Sequence, residues 1–351
     1  MSFEIGGLRV GERQPLFVIA ELGLNHGGSL DRALEMVDAA AAAGASAVKL
    51  QTFKAEDLVA ASCPAPVHVT ADSLRDFFRE FELDRDAHIE VARRARLHGL
   101  AFMSTPFSIA AVNMLDEIGV DGFKIASGDL TFDALIARCA RTELPLFMST
   151  GMATLAETAH AVALARGSGA RGLALMHCVS CYPVPNDNQN LRAIQTLGRV
   201  FGTTVGLSDH ASSIAALPVA VTLGATIYER HLMLPGDDCI DAAVSSTPAQ
   251  FAEIVTLARQ THAALGHGRR ECLPAEAANL TASRRALHAT RALQPGHVVT
   301  ADDIAVLRPS CGLSPSLHEQ LIGTVLTRPI EAGAPFLGHD LPNVWSQSGA
   351  A

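Results

Sequence analysis

Short apolar runs recur along this chain, mostly at intervals of roughly 20 to 35 residues, and stretches with helical spacing lie between them. The runs are LFVIAELG (16–23), SAVKLQTF (46–53), LAFMSTPF (100–107), GFKIAS (122–127), LPLFMSTG (144–151), LALMHCVS (173–180), TTVGLSDH (203–210) and TIYERHLM (226–233). Near-continuous apolar runs of this length suit strands buried on both faces. Between them, 29–45, 84–99 and 154–169 carry Ala, Leu and Val at helical period, with Ser29, Asp84 and Thr154 placed as N-caps and glycines near the ends. Strand–helix alternation repeated eight times predicts an α/β fold, a (β/α)8 TIM barrel whose last helix spans about 248–265. A doubly wound sheet is the competing architecture. It rarely uses eight such units, however, and no G-x-G-x-x-G follows a strand here.

The polar residues of these runs gather at their C-terminal ends: Glu21, Lys49 with Gln51, Ser104 with Thr105, and Lys124 with Ser127. The series continues with Ser149 and Thr150, His177, Ser208 with Asp209 and His210, and Glu229 with His231. In a barrel those ends converge on one face, where barrel active sites sit. One polar strand end reads as a satisfied core group; eight in succession predict an enzyme. Glu229, Arg230 and His231 are the sharpest case, because each ion buried in a strand costs several kcal/mol unless paired or metal-bound. Side chains alternate along a strand, so Glu229 and His231 share one side, while Arg230 can reach a carboxylate outside the wall.

His210 and His231 end adjacent strands, with Asp209, Glu229 and Asp241 nearby in sequence. They can place two imidazoles on one divalent cation, Mn²⁺, Mg²⁺, Co²⁺ or Zn²⁺, acting as a Lewis acid. A hydrogen-bonded core pair is the alternative. Lys49 and Lys124 lie inside strands; with Thr105, Ser127, Ser149, Ser208 and the backbone at Gly128 and Gly151 they read as a cradle for an anion such as a phosphorylated carboxylate. Buried Lys–Glu pairs, or a lysine of depressed pKa that forms a Schiff base, are the alternatives. At the mouth, Glu21 can orient a lysine or a sugar hydroxyl, or act as a base.

Composition narrows the picture. The chain has 351 residues, 48% of them hydrophobic, enough for a barrel and a smaller second domain; aromatics are only 5%, so aliphatic residues must fill the core. A net charge of −9 argues against a nucleic-acid partner. No signal-like or membrane-spanning run is apparent, which predicts a soluble cytoplasmic protein. Seven cysteines show no disulfide spacing, and the one close pair, Cys178 and Cys181, ends a strand before Pro183 and reads as structural or reduced thiols. The expected layout is a barrel over 1–265, a linker at 266–282, a compact module of turns and short strands over 283–342, and a disordered tail at 343–351.

AELGLNHGGSL, AVKLQTFKAEDL, STPF, FKIASGDL, STGM, LMHCVSCYPVP, GLSDH and ERH follow one another in an order that resembles the sialic acid synthase family. The segment RRALHATRALQPGHVVTADDIAVLRPSCGLSPSLHEQLIG resembles the antifreeze-like (SAF) domain appended to those enzymes. The resemblance implies condensation of phosphoenolpyruvate with an N-acylated aldose similar to N-acetylmannosamine, yielding a sialic-type nonulosonic acid and phosphate by C–O cleavage with a divalent metal. It implies that Lys49, Thr105, Lys124, Ser127, Ser149 and Ser208 hold phosphoenolpyruvate and that Gln51 and Tyr182 line the site. His210 and His231 would bind the metal, Mn²⁺ foremost and otherwise Mg²⁺ or Co²⁺, while Glu21 and Glu229 contact the sugar and move protons. It further implies a domain-swapped homodimer in which Arg308 reaches over a partner's barrel.

Three departures bear on the acceptor. Ser180 stands where the family carries Asn, a residue that helps hold phosphoenolpyruvate. The loop after the last strand reads CIDAAVSSTP, which keeps Asp241 but not the Gly, Pro and His of the family pattern, and ASCPAPVHVTADS lacks an obvious asparagine for the sugar. The module also reads RPSCG where RPGTG is commoner. N-acetylmannosamine and the precursors of legionaminic or pseudaminic acids all remain open as acceptors. Two rival functions are a Schiff-base pyruvate aldolase using Lys124 or Lys49, and a non-catalytic carbohydrate-binding homologue.

Overall fold

A computed structural model of the protein describes residues 2–64 and 72–342. The tail from 343, and most of the ASCPAPVHVTADS loop, lie outside the described residues. The chain divides into two compact units, Met1–Gly266 and His267–Ala351.

In the first unit, a hairpin of β1 (Ser2–Ile5) and β2 (Leu8–Gly11) precedes eight parallel strands. These are β3 (Phe17–Gly23), β4 (Ala47–Thr52), β5 (Ala101–Pro106), β6 (Gly122–Ile125), β7 (Leu146–Ser149), β8 (Leu173–Cys178), β9 (Thr204–Asp209) and β10 (Ile227–Leu232). Each lies inside one of the apolar runs. Each pairs with the next, and β10 closes the ring by pairing with both β9 and β3. The fold is the expected (β/α)8 barrel. A two-residue strand, β11 (Ser245–Ser246), adds to β10 opposite His231 and Leu232.

The helices start where their caps predict. Ser29 accepts from the Arg32 amide, Asp84 from Ala87, and Thr154 forms a reciprocal capping box with Glu157. The final barrel helix, Pro248–Leu265, opens on a second box between Thr247 and Gln250. Outward-facing Val18, Val48, Phe102 and Leu175 pack against these helices in one large core. Inside the barrel, Phe17, Ile19, Met103, Phe147 and Ile227 form a second core at the N-terminal end, which the hairpin seals with Ile5 and Val10. Space there is tight. A Cβ on Gly206 would sit 2.6 Å from Met176 Sδ and 2.7 Å from Ile227 Cβ.

The second unit pairs β12 (Ala286–Ala289) antiparallel with β13 (Ile304–Leu307) and adds bridges such as Leu293 with Ile330 and Val298 with Val325. Leu287, Leu293, Leu326 and Phe336 fill its core. The two similar turns end on Gly296 and Gly333, both at positive φ, whose amides donate to Leu326 and Ala289 carbonyls. The stretch expected as a linker contains a helix, Ala277–Ser283, whose Thr281 carbonyl accepts from the Ser310 amide. Among the described residues no helix is long and apolar enough to cross a membrane.

Candidate active site

At the C-terminal end of the barrel the strand ends enclose a cavity of about 240 Å³. Of the residues singled out from sequence, Glu21, Lys49, Gln51, Thr105, Lys124, Ser127, Ser149, Ser180, Tyr182, Ser208, His210, Glu229 and His231 all line it. Asp241 stands just behind the wall, against His231. Arg308 belongs to the second unit, exposed just after β13.

The floor is a lattice of two ammonium groups and two carboxylates, each at most 5% exposed. Lys49 pairs with Glu21 Oε2, donates to Thr105 Oγ1 at 3.0 Å and lies 4.0 Å from Glu229 Oε2. Lys124 pairs with Glu229 Oε1, which also accepts from Ser208 Oγ at 2.8 Å. Gln51 donates to Glu21 Oε1 at 3.1 Å. The buried Lys–Glu pairs and the hydroxyl cradle, set out above as alternatives, are therefore present together. Burial alone would lower the Lys49 pKa, but Glu21 and Glu229 outweigh it and hold the group above the ordinary lysine value. Burial would raise Glu229, but Lys124 and Lys49 prevail and hold it well below the usual carboxylate range. Ser149 Oγ and Glu229 Oε2 are buried without a hydrogen-bond partner. Buried polar atoms rarely stay so, which makes these two the places where a ligand's polar atoms belong.

The upper wall carries the imidazoles. Tyr182 stacks on His210 with centroids 4.2 Å apart and meets His231 edge-on, and the two imidazole centroids are 5.5 Å apart. His210 Nδ1 lies 3.1 Å from the Val179 carbonyl. A carbonyl only accepts, so Nδ1 carries the proton and Nε2 is left as the free donor atom. Burial, followed by the neighbouring His231, pushes the His210 pKa down to about 3, which keeps the ring neutral. His231 Nδ1 faces Asp241 Oδ2 at 3.2 Å. His210 thus has Nδ1 bonded to an oxygen and His231 has Nδ1 facing one, with Nε2 of each ring spare, an arrangement that suits metal-binding histidines. Among the described residues no three His, Cys, Asp or Glu side chains form a group that could hold a metal, so any cation on these two nitrogens would need its other ligands from water or substrate.

Asp209, counted with this pair from its place in the sequence, points the other way. It receives the Tyr228 hydroxyl at 2.5 Å and faces Arg230 outside the barrel, which supplies the carboxylate expected for Arg230. The reason is strand alternation: Ser208 faces in, so Asp209 faces out. Cys178 lines the cavity as a buried thiol whose pKa burial raises, while Cys181 is exposed and donates to Pro183 O. Both are free thiols.

Asn25 was missed by sequence reasoning. Its side-chain amide donates to Leu232 O at 2.8 Å and Ser245 Oγ at 2.9 Å, and its Oδ1 accepts the Asp241 amide at 3.2 Å, pinning the loop that holds Asp241. Gly23 makes room beside it: with φ +52, a Cβ there would stand 3.1 Å from Asp241 Oδ2 and 3.2 Å from His231 Nδ1. Gly151 does the same for two hydroxyls, since a Cβ would meet Ser180 Oγ at 2.5 Å and Ser127 Oγ at 2.7 Å. Asp129, one residue past Gly128 of the cavity wall, has its carboxyl pushed up to about 6 by burial.

A parallel barrel with buried, mutually compensated charges at its strand ends has the form of a (β/α)8 enzyme. Residues 36–270 match the NeuB family, and residues 284–342 match the SAF domain. The chain belongs to the NeuB family. It is 33% identical over 319 residues to the N,N'-diacetyllegionaminic acid synthase of Campylobacter jejuni, covering 89% of this chain and 96% of that protein. It is 30% identical to the pseudaminic acid synthase of Helicobacter pylori, covering 93% and 98% respectively. The crystal structure of N-acetylneuraminic acid synthetase from Leptospira borgpetersenii, in complex with citrate, superposes with a TM-score of 0.72 at 33% identity, covering 80% of this chain and 95% of that one.

Proposed function

We propose that this protein condenses phosphoenolpyruvate with an N-acylated aldose to give a nonulosonic acid and inorganic phosphate. The observation that carries the reading is the buried floor, where two ammonium groups and a ring of hydroxyls, with the Ser149 hydroxyl left without a partner, line the cavity of a closed barrel. Phosphate and carboxylate suit Lys49, Lys124, Thr105, Ser127, Ser149 and Ser208, with Ser180 supplying a hydroxyl where the family pattern has an amide. The C3 carbon of phosphoenolpyruvate bonds to the aldehyde carbon, whose oxygen takes up a proton. Water then adds at C2 and loses a proton. The C2–O bond to phosphate breaks, the remaining C2 hydroxyl proton passes to the departing phosphate, and the keto group is left.

Glu229 and Glu21 line the same cavity and are the carboxylates that would carry those protons. In the free protein the two lysines hold Glu229 charged and weakly basic. An incoming phosphate shares their charge and raises the proton affinity of Glu229, so the base is strengthened by the substrate it serves. His210 and His231 would hold a divalent cation, Mn²⁺ foremost, through Nε2, with Asp241 orienting His231. When bound, that ion supplies Lewis acidity toward a carbonyl oxygen or water.

The Schiff-base reading requires a neutral amine, whereas Lys49 is held in its charged form by Glu21 and Glu229. Legionaminic- and pseudaminic-type acceptors stand beside N-acetylmannosamine as candidates, given the names of the relatives. The domain-swapped homodimer, in which Arg308 serves another copy's barrel, and a cytoplasmic location belong to the same reading.

The test is phosphate release from phosphoenolpyruvate with Mn²⁺ across a panel of N-acylated aldoses, with and without chelator. Release with one acceptor, abolished by chelation, is the expected result. No release from folded, metal-loaded protein with any of these acceptors would favour a carbohydrate-binding protein instead.

A further inference from the structure

The outer side of the two histidine-bearing strands carries a second cluster of ionisable groups that the reaction does not use. Asp209 and Arg230 are each 3% exposed, Tyr228 1% and Ser246 2%. Asp209 and Arg230 stand opposite each other as the last paired residues of β9 and β10, and each immediately precedes a histidine.

The bonds converge on Ala211, the residue after His210. Its amide donates to Asp209 Oδ1 at 2.8 Å, and its carbonyl accepts from Arg230 Nη1 at 2.6 Å. Arg230 Nη1 lies 3.5 Å from Asp209 Oδ2, which also accepts the Tyr228 hydroxyl. Arg230 Nε donates to Ser246 Oγ at 3.1 Å, tying the same guanidinium to β11, the strand paired with His231. The residue following His210 thus has its amide held by Asp209, on the near side of the same histidine, and its carbonyl held by Arg230, which precedes the other histidine.

We propose that Arg230 and Asp209 are positioning residues that fix the separation and tilt of His210 and His231 from outside the barrel. Tyr228 holds the Asp209 carboxylate and Ser246 holds the guanidinium. The strand pairing between β9 and β10 stops at Arg230 and Asp209; beyond it the His210 backbone is tied to the segment after β8, through the Val184 amide and the Val184–Ala211 bridge, while Arg230 supplies a tie from the β10 side. The planar fork of Arg230 spans that gap, and a lysine could make only part of the grip. A buried ion pair serving stability alone would need to meet only its own charges; this one closes on the backbone beside a histidine instead.

The inference rests on the metal-binding part of the proposed function, and its test reads the metal directly. Mn²⁺ affinity is measured by electron paramagnetic resonance on wild type and on Arg230→Met, Arg230→Lys, Asp209→Asn and Tyr228→Phe. Phosphoenolpyruvate affinity without metal and thermal melts are recorded beside it. Arg230→Met and Asp209→Asn are expected to weaken Mn²⁺ binding by about 10–100-fold, the range for groups that orient ligating histidines. Arg230→Lys should recover part of the loss, and metal-free phosphoenolpyruvate affinity should not change. If Arg230→Met does not fold, Arg230→Lys and Tyr228→Phe are expected to show smaller losses in the same direction. Wild type that binds Mn²⁺ while folded variants bind it equally well overturns the positioning role alone. Equal losses of metal and phosphoenolpyruvate affinity overturn it too, by showing general loosening. Wild type that binds no Mn²⁺ overturns this inference together with the metal assignment.

Discussion

Replacing Lys124 with methionine tests the charge lattice at its centre. Lys124 is 5% exposed and is the close partner of Glu229, which would be left with Ser208 at 2.8 Å and Lys49 at 4.0 Å. Removing one member of a buried pair costs about 3–5 kcal/mol, because the other charge stays behind. For a domain of this size that is a fall in Tm of about 6–20 °C at pH 7. The pH dependence should reverse as well. In wild type the folded pKa of Glu229 is depressed, so its contribution is present above the unfolded value of about 4.3 and is lost as pH falls through the folded one. In the variant burial dominates and the folded pKa rises above the unfolded value. Stability is then highest in acid and falls as pH rises through the folded value. Urea denaturation followed by circular dichroism between pH 4 and 8 (a range of about four units around these values) reads both effects. A variant that melts within about 2 °C of wild type at pH 7, less than 1 kcal/mol, and whose stability does not fall with rising pH, would refute the claim that Glu229 is held as a buried, lysine-paired carboxylate.

Borohydride added with pyruvate should leave the protein's mass unchanged, since Lys49 is held in its charged form; a covalent adduct on Lys49 or Lys124 would revive the aldolase reading. Asn25→Ala should destabilise the barrel by about 1–3 kcal/mol, the range for leaving buried partners unpaired, and raise KM for the aldose more than for phosphoenolpyruvate; equal shifts in both would separate Asn25 from the acceptor end. Because burial raises the Asp129 pKa to about 6, that group's stabilising contribution is full below about 4 and is lost as pH rises toward about 6; Asp129→Asn should flatten wild-type stability across that window, as urea midpoints would show.

All eight barrel strands and their polar ends could be read from the chain because a strand buried on both faces writes itself as an uninterrupted apolar run, and a polar residue at its end is conspicuous. The same contrast exposed Lys49, Lys124, His210 and His231. Asn25 escaped because its work is done across 207 residues, on the Leu232 carbonyl, and no local pattern encodes so distant a contact. Asp209 was misassigned for the opposite reason: closeness in sequence hid the fact that alternation sends it outward. The hairpin before residue 16 went unread although Gly6-Gly7 between FEI and LRV is a recognisable turn signal. Its strands are only four residues long, too short for their alternation to stand out.

That hairpin turns the barrel from a tube into a cup. With Ile5 and Val10 packed among the strand starts, and Phe3 edge-on to Phe147, nothing passes through the floor. Whatever sits on the lysines must therefore arrive by the same doorway as whatever sits beside the histidines, past Tyr182, which is 53% exposed at the rim while the lysines are nearly sealed. Traffic through one door imposes a queue. Of any two molecules sharing the cavity, the deeper would have to enter first and could not leave while the second is seated.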